Sequence, residues 1–178
     1  MERVHKRKSI RLKEYDYSES GDYFTTICTK DFKCLFGKII DGEMVLNEVG
    51  EIVKNEWLKT PLIRPNVELD EFCVMPNHIH MIITIVERSC RGVLQYAPTG
   101  LVSPSQTVGA IIRGFKSTTA KQINILRNTP GFPVWQRNYY EYIIRGVKDL
   151  DKIRDYIISN PGKWGEDRNN PKNIKDGK

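Results

Sequence analysis

The run from Val67 to Val86 constrains the fold more than any other part of the chain. Pro76-Asn77 is a turn pair, and it separates two stretches with the two-residue periodicity of strands, Val67 to Met75 and His78 to Val86. The segment therefore predicts two antiparallel strands joined by a tight turn. Side chains two apart on a strand project to the same side. In the second strand Ile79, Met81, Ile83 and Ile85 share one face, while His78, His80, Ile82, Thr84 and Val86 share the other. The first set is wholly apolar and predicts a face covered by helices. The second is mixed, which suits a site.

The remaining elements follow from periodicity and punctuation. Tyr23, Thr25 and Ile27 alternate as a strand does, and Asp41-Gly42 predicts a hairpin or loop. Val45, Val49, Ile52, Val53, Glu56 and Trp57 recur at helical spacing until Thr60-Pro61 stops them. Arg88 to Pro104, with Gly92, Pro98, Gly100 and Pro104, predicts a loop. A second helix is expected from about Ser105 to Arg127, with Val108, Ile111, Ile112, Phe115 and Ile123 on its apolar side, ended by Asn128-Thr129-Pro130-Gly131. Phe132 to Gln136 reads as a fourth strand. A last helix, Asp149 to Ser159, carries the stripe Leu150, Ile153, Ile157 before Asn160-Pro161-Gly162 terminates it. The order β, α, β, β, α, β, α, without internal repeats, predicts an α+β domain with helices on one face of an antiparallel sheet and the other face available for a ligand.

Composition narrows the function classes. A chain of 178 residues, 39% of them hydrophobic, can bury a sizeable core without disulfides or structural metals. Its longest apolar stretch, Met81 to Val86, is far too short to span a bilayer, and the N-terminus MERVHKRKSIRLK has no apolar segment. A cytoplasmic protein with no membrane partner is expected. Cys28, Cys34, Cys73 and Cys90 match no zinc or redox spacing and are expected to be reduced.

The formal charge of +6 is unevenly placed. Residues 1 to 13 carry six Lys/Arg against Glu2 alone, Gln106 to Asn128 holds Arg113, Lys116, Lys121 and Arg127 without an acid, and the tail from Lys163 has five bases against three acids. Such stripes fit a polyanion, and equally fit solvated faces and a loose terminus.

Three residues stand out chemically. His78 and His80 point the same way from one strand, and two rigidly held neutral imidazoles can chelate a divalent ion. A bare pair at this spacing also fits strand histidines without any ligand. On the last helix Tyr156 lies off the buried stripe, and Asn160 follows one turn later on the same face. A phenolate is a competent covalent nucleophile when its charge is stabilised, and an amide carbonyl is the oxygen donor that Mg²⁺ or Mn²⁺ favours. Packing at a boundary would equally explain the tyrosine, and a helix C-cap the asparagine.

Taken together, Cys73-Val74-Met75-Pro76-Asn77-His78-Ile79-His80, Val134-Trp135-Gln136-Arg137-Asn138-Tyr139-Tyr140-Glu141 and Asp155-Tyr156-Ile157-Ile158-Ser159-Asn160-Pro161 resemble the single-tyrosine HUH transposases of bacterial insertion sequences. The nearer likeness is to the branch called REP-associated tyrosine transposases, over roughly residues 15 to 165. The resemblance implies a ferredoxin-like (RRM-like) catalytic domain over 15–165, with a C-terminal helix carrying the catalytic tyrosine, Tyr156. A basic arm at 1–14 would precede it and a polar tail at 166–178 follow. It further implies Mg²⁺ or Mn²⁺ held by His78, His80 and Asn160, and cleavage and rejoining of single-stranded DNA beside REP-like hairpins through a 5′-phosphotyrosine. Relatives of the insertion-sequence type place Gln where Asn160 stands, one methylene longer.

DNA contacts are expected from Arg113, Lys116, Lys121 and Arg137 to phosphates, and from Trp135, Tyr139 or Tyr140 by stacking, with a core position the competing role for Trp135. Tyr139, Tyr140 and Tyr142 are rivals for the nucleophile, placed just after a predicted strand end. The competing functions are a non-catalytic single-stranded nucleic-acid-binding module on the same sheet, and a metal-dependent phosphohydrolase drawing on Asp70 and Glu71 as further ligands. Both a homodimer and a monomer are compatible with the sequence.

Overall fold

The computed structural model describes residues 19–86 and 107–174, so the basic arm and the 88–104 loop expected from the sequence lie outside the described residues. Four strands form one antiparallel sheet in the order β4-β5-β1-β6, with β1 Gly21–Cys28, β4 Val67–Val74, β5 His78–Ile85 and β6 Tyr140–Ile143. A separate hairpin pairs β2 Gly37–Ile40 with β3 Glu43–Leu46. At its tip Asp41 and Gly42 take φ of 50° and 82°, the left-handed pair that a two-residue hairpin turn requires.

The helices are α1 Glu48–Leu58, α2 Thr60–Ile63, α3 Val108–Leu126 and α4 Val147–Ser159. Asn47 caps α1 by accepting the Gly50 amide at 3.0 Å, and Thr107 caps α3 through Ala110 at 3.2 Å. Val45, counted with the first helix in the sequence pattern, belongs to β3 instead. Thr60-Pro61 ends α1 yet opens a four-residue helix, since proline in a first turn forfeits no helical hydrogen bond.

The two faces of β5 divide as the alternation predicts. Ile79, Met81, Ile83 and Ile85 join Trp57 of α1 and Ile111, Ile112, Phe115 and Ile123 of α3 in the main core. The opposite face is not left wholly open: α4 lies across part of it, burying Ile157 with Phe24, Ile82 and Ile144. Helices therefore flank both sides of the sheet, and α4 brings its own polar face to the edge of the histidine-bearing one.

Two boundaries differ from expectation. Phe132 to Gln136 contributes only an isolated bridge, Thr29 to Trp135, because Pro133 lacks an amide for a ladder and Trp135 turns inward. The fourth strand is β6, whose half-exposed tyrosines alternate with little apolar contrast. The domain also runs beyond residue 165: Asp167, Asn169 and Asn170 are buried. Their run of polar residues reads as a tail in sequence but satisfies polar groups inside the fold.

Candidate active site

One row of side chains crosses the sheet on its open face. Register pairs Cys73 with His80, His80 with Thr26, and Thr26 with Tyr140. His78 sits two residues before His80 and pairs across to Cys28. Both imidazoles are completely buried, and burial pushes both below the ordinary histidine range, His78 to about 4. Each is therefore neutral near pH 7 and has a nitrogen lone pair to offer.

Neighbours decide which nitrogen that is. Asn77 donates its amide to the carbonyls of Phe32 at 2.9 Å and Asn169 at 2.7 Å, leaving its Oδ1 to accept from His78 Nδ1 at 2.8 Å. His80 Nδ1 lies 2.8 Å from Thr26 Oγ1, a hydroxyl able to accept its proton. With both Nδ1 atoms donating, the two Nε2 atoms are the free ones, and they face each other at 3.0 Å.

That spacing suits a shared cation: two nitrogens each about 2.1 Å from one ion at a right angle lie about 3.0 Å apart, the octahedral arrangement that Mg²⁺ and Mn²⁺ prefer. Two buried oxygens point to the same need. Asp167 Oδ2 lies 3.6 Å from His78 Nε2 and has no hydrogen-bond partner, while Asn160, 3% exposed, has an unpartnered Oδ1. His78, His80 and Asp167 offer ligand atoms within 4.8 Å of one another. Buried unpaired acceptors are costly unless something positive answers them, and two imidazole nitrogens beside two oxygens are a donor set that can hold a divalent ion.

Tyr156, 42% exposed, stands at the mouth of this group with its hydroxyl 3.3 Å from His80 Nε2. Burial raises its phenol and the Asp167 carboxylate adds to that, while the Asn160 amide and Arg168 oppose it. Tyr140 and Tyr142 lie on β6, where Tyr142 donates to Asp149 at 3.1 Å. The tyrosine hydroxyl seen at the histidine pair is that of Tyr156.

Asp167 is the site residue that sequence reading missed. It lies seven residues beyond Asn160, and a 3-10 turn over Pro161–Glu166 returns the chain to the sheet, a reversal with no motif to announce it. Asp70, a ligand candidate of the hydrolase reading, is instead held by Arg154, whose Nε donates to its two oxygens at 3.0 and 3.2 Å. Arg154 accordingly depresses the Asp70 carboxyl. This fork, two residues before the tyrosine, ties α4 to the irregular step in β4 between Leu69 and Phe72. Arg154→Ala should lower the rate of any Tyr156 chemistry by about ten- to a hundred-fold, the cost of an ångström-scale misplacement, with an unchanged circular dichroism spectrum. Asp70→Asn should do the same, and the double variant should add little.

The basic and aromatic candidates scatter. Arg113 and Lys121 are exposed on α3, which packs on the sheet face opposite the histidines, and Arg137 is exposed before β6. Lys116 is not an open phosphate contact. Its ammonium donates to the carbonyls of Gln136 and Asn138, both at 2.9 Å, and rests 5.7 Å from the Tyr139 ring; burial brings its pKa down to about 8. Lys116→Met should cost about 1–2 kcal/mol in urea denaturation, the penalty for losing two hydrogen bonds from a charged donor, one part-buried and one exposed, and should leave the salt dependence of DNA binding intact. Trp135, 8% exposed, donates to Thr119 at 2.9 Å and packs on Phe36 and Phe115. It is a core anchor rather than a stacking platform. Tyr139 is half-buried and Tyr140 exposed.

Cys28, Cys34 and Cys73 are free thiols, and no helix among the described residues is long and apolar enough to cross a membrane. No family model matches the chain. Over 170 residues it is 46% identical to an uncharacterized protein of Haemophilus influenzae, covering 93% of each. It is 27% identical over 150 residues to another protein of that organism, named "Putative REP-associated tyrosine transposase", covering 84% of this chain and 75% of the relative. Its fold is similar to that of a solved REP-associated tyrosine transposase bound to a REP hairpin, with a TM-score of 0.57 and 21% identity over 89% of this chain and 77% of the other. Sequence and fold point the same way: the chain is similar in sequence to one protein named as a REP-associated tyrosine transposase and similar in fold to another.

Proposed function

We propose that this protein is a metal-dependent, cytoplasmic single-strand DNA endonuclease and strand transferase that cuts and rejoins DNA beside short hairpins through a phosphotyrosine. The observation that carries the reading is the Tyr156 hydroxyl, 3.3 Å from His80 Nε2 and next to a group of neutral imidazoles and orphaned oxygens. The Tyr156 oxygen attacks phosphorus as the bond from phosphorus to the 3′-oxygen breaks. The phenol loses its proton, the departing 3′-oxygen gains one, and a 5′-phosphotyrosyl ester retains the energy of the broken linkage. An incoming 3′-hydroxyl can reverse the step, so no nucleotide triphosphate is needed.

His78 and His80, with Asn160 and Asp167 supplying oxygens, would hold Mg²⁺ or Mn²⁺. A cation bound there would polarise a non-bridging phosphate oxygen and lower the pKa of the phenol, which burial alone keeps high. Asn77 and Thr26 serve by holding the imidazoles in the ligating tautomer. Tyr156 must meet phosphorus in line, and the Arg154 fork fixes the helix from which it does so.

The test uses stem-loop oligonucleotides from the intergenic DNA beside the protein's own gene, labelled at either end and incubated with Mn²⁺ or with EDTA. A protein adduct retaining the 3′ label, formed with Mn²⁺ and absent with EDTA, is expected on a denaturing gel. Cleavage without an adduct would favour the hydrolase, and tight binding with neither would favour the binding module.

A further inference from the structure

Asp167, Asn169 and Asn170 are buried, and Arg168, between them, is exposed. Its backbone is held from both sides. The Asp167 amide donates to the Trp164 carbonyl at 3.2 Å, the Asn169 amide donates to Asp167 Oδ1 at 2.6 Å, and the Asn169 carbonyl accepts from Asn77 at 2.7 Å. The side chain has no comparable restraint. Among the described residues no hydrogen bond or ion pair holds the guanidinium, whose neighbour is the Tyr140 ring, 5.6 Å away at its centroid. It borders a cleft of about 220 Å³, shared with Thr26, Cys28 and Tyr140, and is the one charged residue in its lining. Arginine keeps its charge at any working pH, and its planar fork matches the oxygens of a phosphate.

A line of rings joins this position to the reacting atoms. Tyr140 meets Phe24 edge-on at 6.1 Å, and Phe24 stacks on His80 at 5.5 Å and meets the Tyr156 ring at 6.0 Å. Arg168 is close enough for its charge to act on His78, His80 and Tyr156 alike. A phosphodiester has two non-bridging oxygens, and both gain charge as a nucleophile adds. In the strand-cleaving reading the ion takes one of them, which leaves the other in need of a donor. Other cations are committed or distant: Lys116 is held by two carbonyls and Arg154 by Asp70, while Arg113 and Lys121 lie on α3, behind the sheet.

We propose that Arg168 is a catalytic residue whose guanidinium donates to the non-bridging oxygen of the scissile phosphate that the ion leaves free. It forms no covalent bond and transfers no proton. Its part is to stabilise the charge that builds on phosphorus as the Tyr156 oxygen adds and the 3′-oxygen departs. Tyr140 is a positioning residue, steadying the guanidinium with its ring face. The inference rests on the proposed strand-cleaving function and deepens it. Asp167 and Arg168, adjacent in the chain, then serve the ion and the phosphate respectively.

The test compares full-length wild type with Arg168→Gln, an exposed and polar replacement whose melting curve and Mn²⁺ affinity should match wild type. Single-turnover cleavage of the stem-loop oligonucleotide at saturating protein should slow by about a hundred- to a thousand-fold, the range for losing one donor to a developing oxyanion. DNA affinity should stay within about five-fold, since the contact strengthens only in the transition state. Arg168→Lys, which keeps the charge but not the fork, should recover part of the rate. The deciding substrates carry a methylphosphonate at the cleaved position, each diastereomer replacing one non-bridging oxygen with a methyl group and making the linkage neutral. On one diastereomer the gap between wild type and Arg168→Gln should close to within about three-fold, because the oxygen that Arg168 meets is gone, and on the other it should persist. Tyr140→Leu should slow wild type by about ten-fold and add little to Arg168→Gln. A gap of the same size on the natural phosphate and on both diastereomers would overturn the proposal. So would a loss confined to DNA affinity, which would make Arg168 a contact to some other phosphate. In both of those cases wild type still forms its adduct, and strand cleavage stands. Wild type that forms no adduct on any of these strands would remove the strand-cleaving reading, and this proposal with it.

Discussion

Tyr156→Phe is expected to abolish the covalent adduct and to lower strand cleavage by at least about a thousand-fold, while leaving DNA affinity within about two-fold of wild type. The change removes one oxygen and nothing else. That oxygen contacts His80 Nε2 at 3.3 Å, and the ring keeps its edge contacts with Phe24 at 6.0 Å and His80 at 5.1 Å. Tyr156 is 42% exposed, and the buried His80 Nε2 that faces its hydroxyl would be engaged by the ion in the Mn²⁺-loaded protein, so thermal stability measured with Mn²⁺ should move little. A bound but unjoined strand on a denaturing gel, with an unshifted melting curve, is the full signature. If Tyr140→Phe rather than Tyr156→Phe removed the adduct, the nucleophile would lie on β6 and α4 would not be the helix that delivers it.

The legible parts of this fold are those where chemistry and periodicity coincide. On β5 the alternation of apolar and mixed positions is strict, and it places His78 and His80 opposite the core as the sequence predicts. Tyr156 and Asn160 are adjacent through helical spacing, another local rule. The parts that escaped are long-range. Asp167 enters through a turn that reverses the chain, and its neighbours Asn169 and Asn170 read as a tail because nothing in a polar run says which amides will be buried. Lys116 counts as a surface charge until Gln136 and Asn138 are seen to bring their carbonyls to it. Trp135 is open to two roles in the sequence, and its contacts with Thr119, sixteen residues away, and with Phe36 and Phe115 decide for the core. β6 escaped because an edge strand of half-exposed tyrosines lacks the hydrophobic contrast on which strand reading depends.

The second large effect concerns the ion. His80→Ala should abolish tight Mn²⁺ binding, read as free Mn²⁺ by electron paramagnetic resonance, because it removes one of two nitrogens held 3.0 Å apart. Asp167→Asn should weaken binding by about ten- to a hundred-fold, since it neutralises an oxygen 3.6 Å from His78 Nε2 without changing the shape of the side chain. The stability consequence has the opposite sign without metal. Asp167 Oδ2 is buried and unpartnered, so Asp167→Asn should leave the apo protein as stable or more so, while reducing the rise in melting temperature that Mn²⁺ brings to wild type. A merely structural aspartate would give the reverse, a less stable apo protein with an undiminished Mn²⁺ shift. Asn77→Ala separates ligand from support: it removes no ligand, but it frees His78 to change tautomer and releases the Asn169 carbonyl that anchors the Asp167 turn, and should therefore weaken Mn²⁺ binding less than His80→Ala does. Equal losses from the two would mean that this support, and not the count of ligands, governs the site.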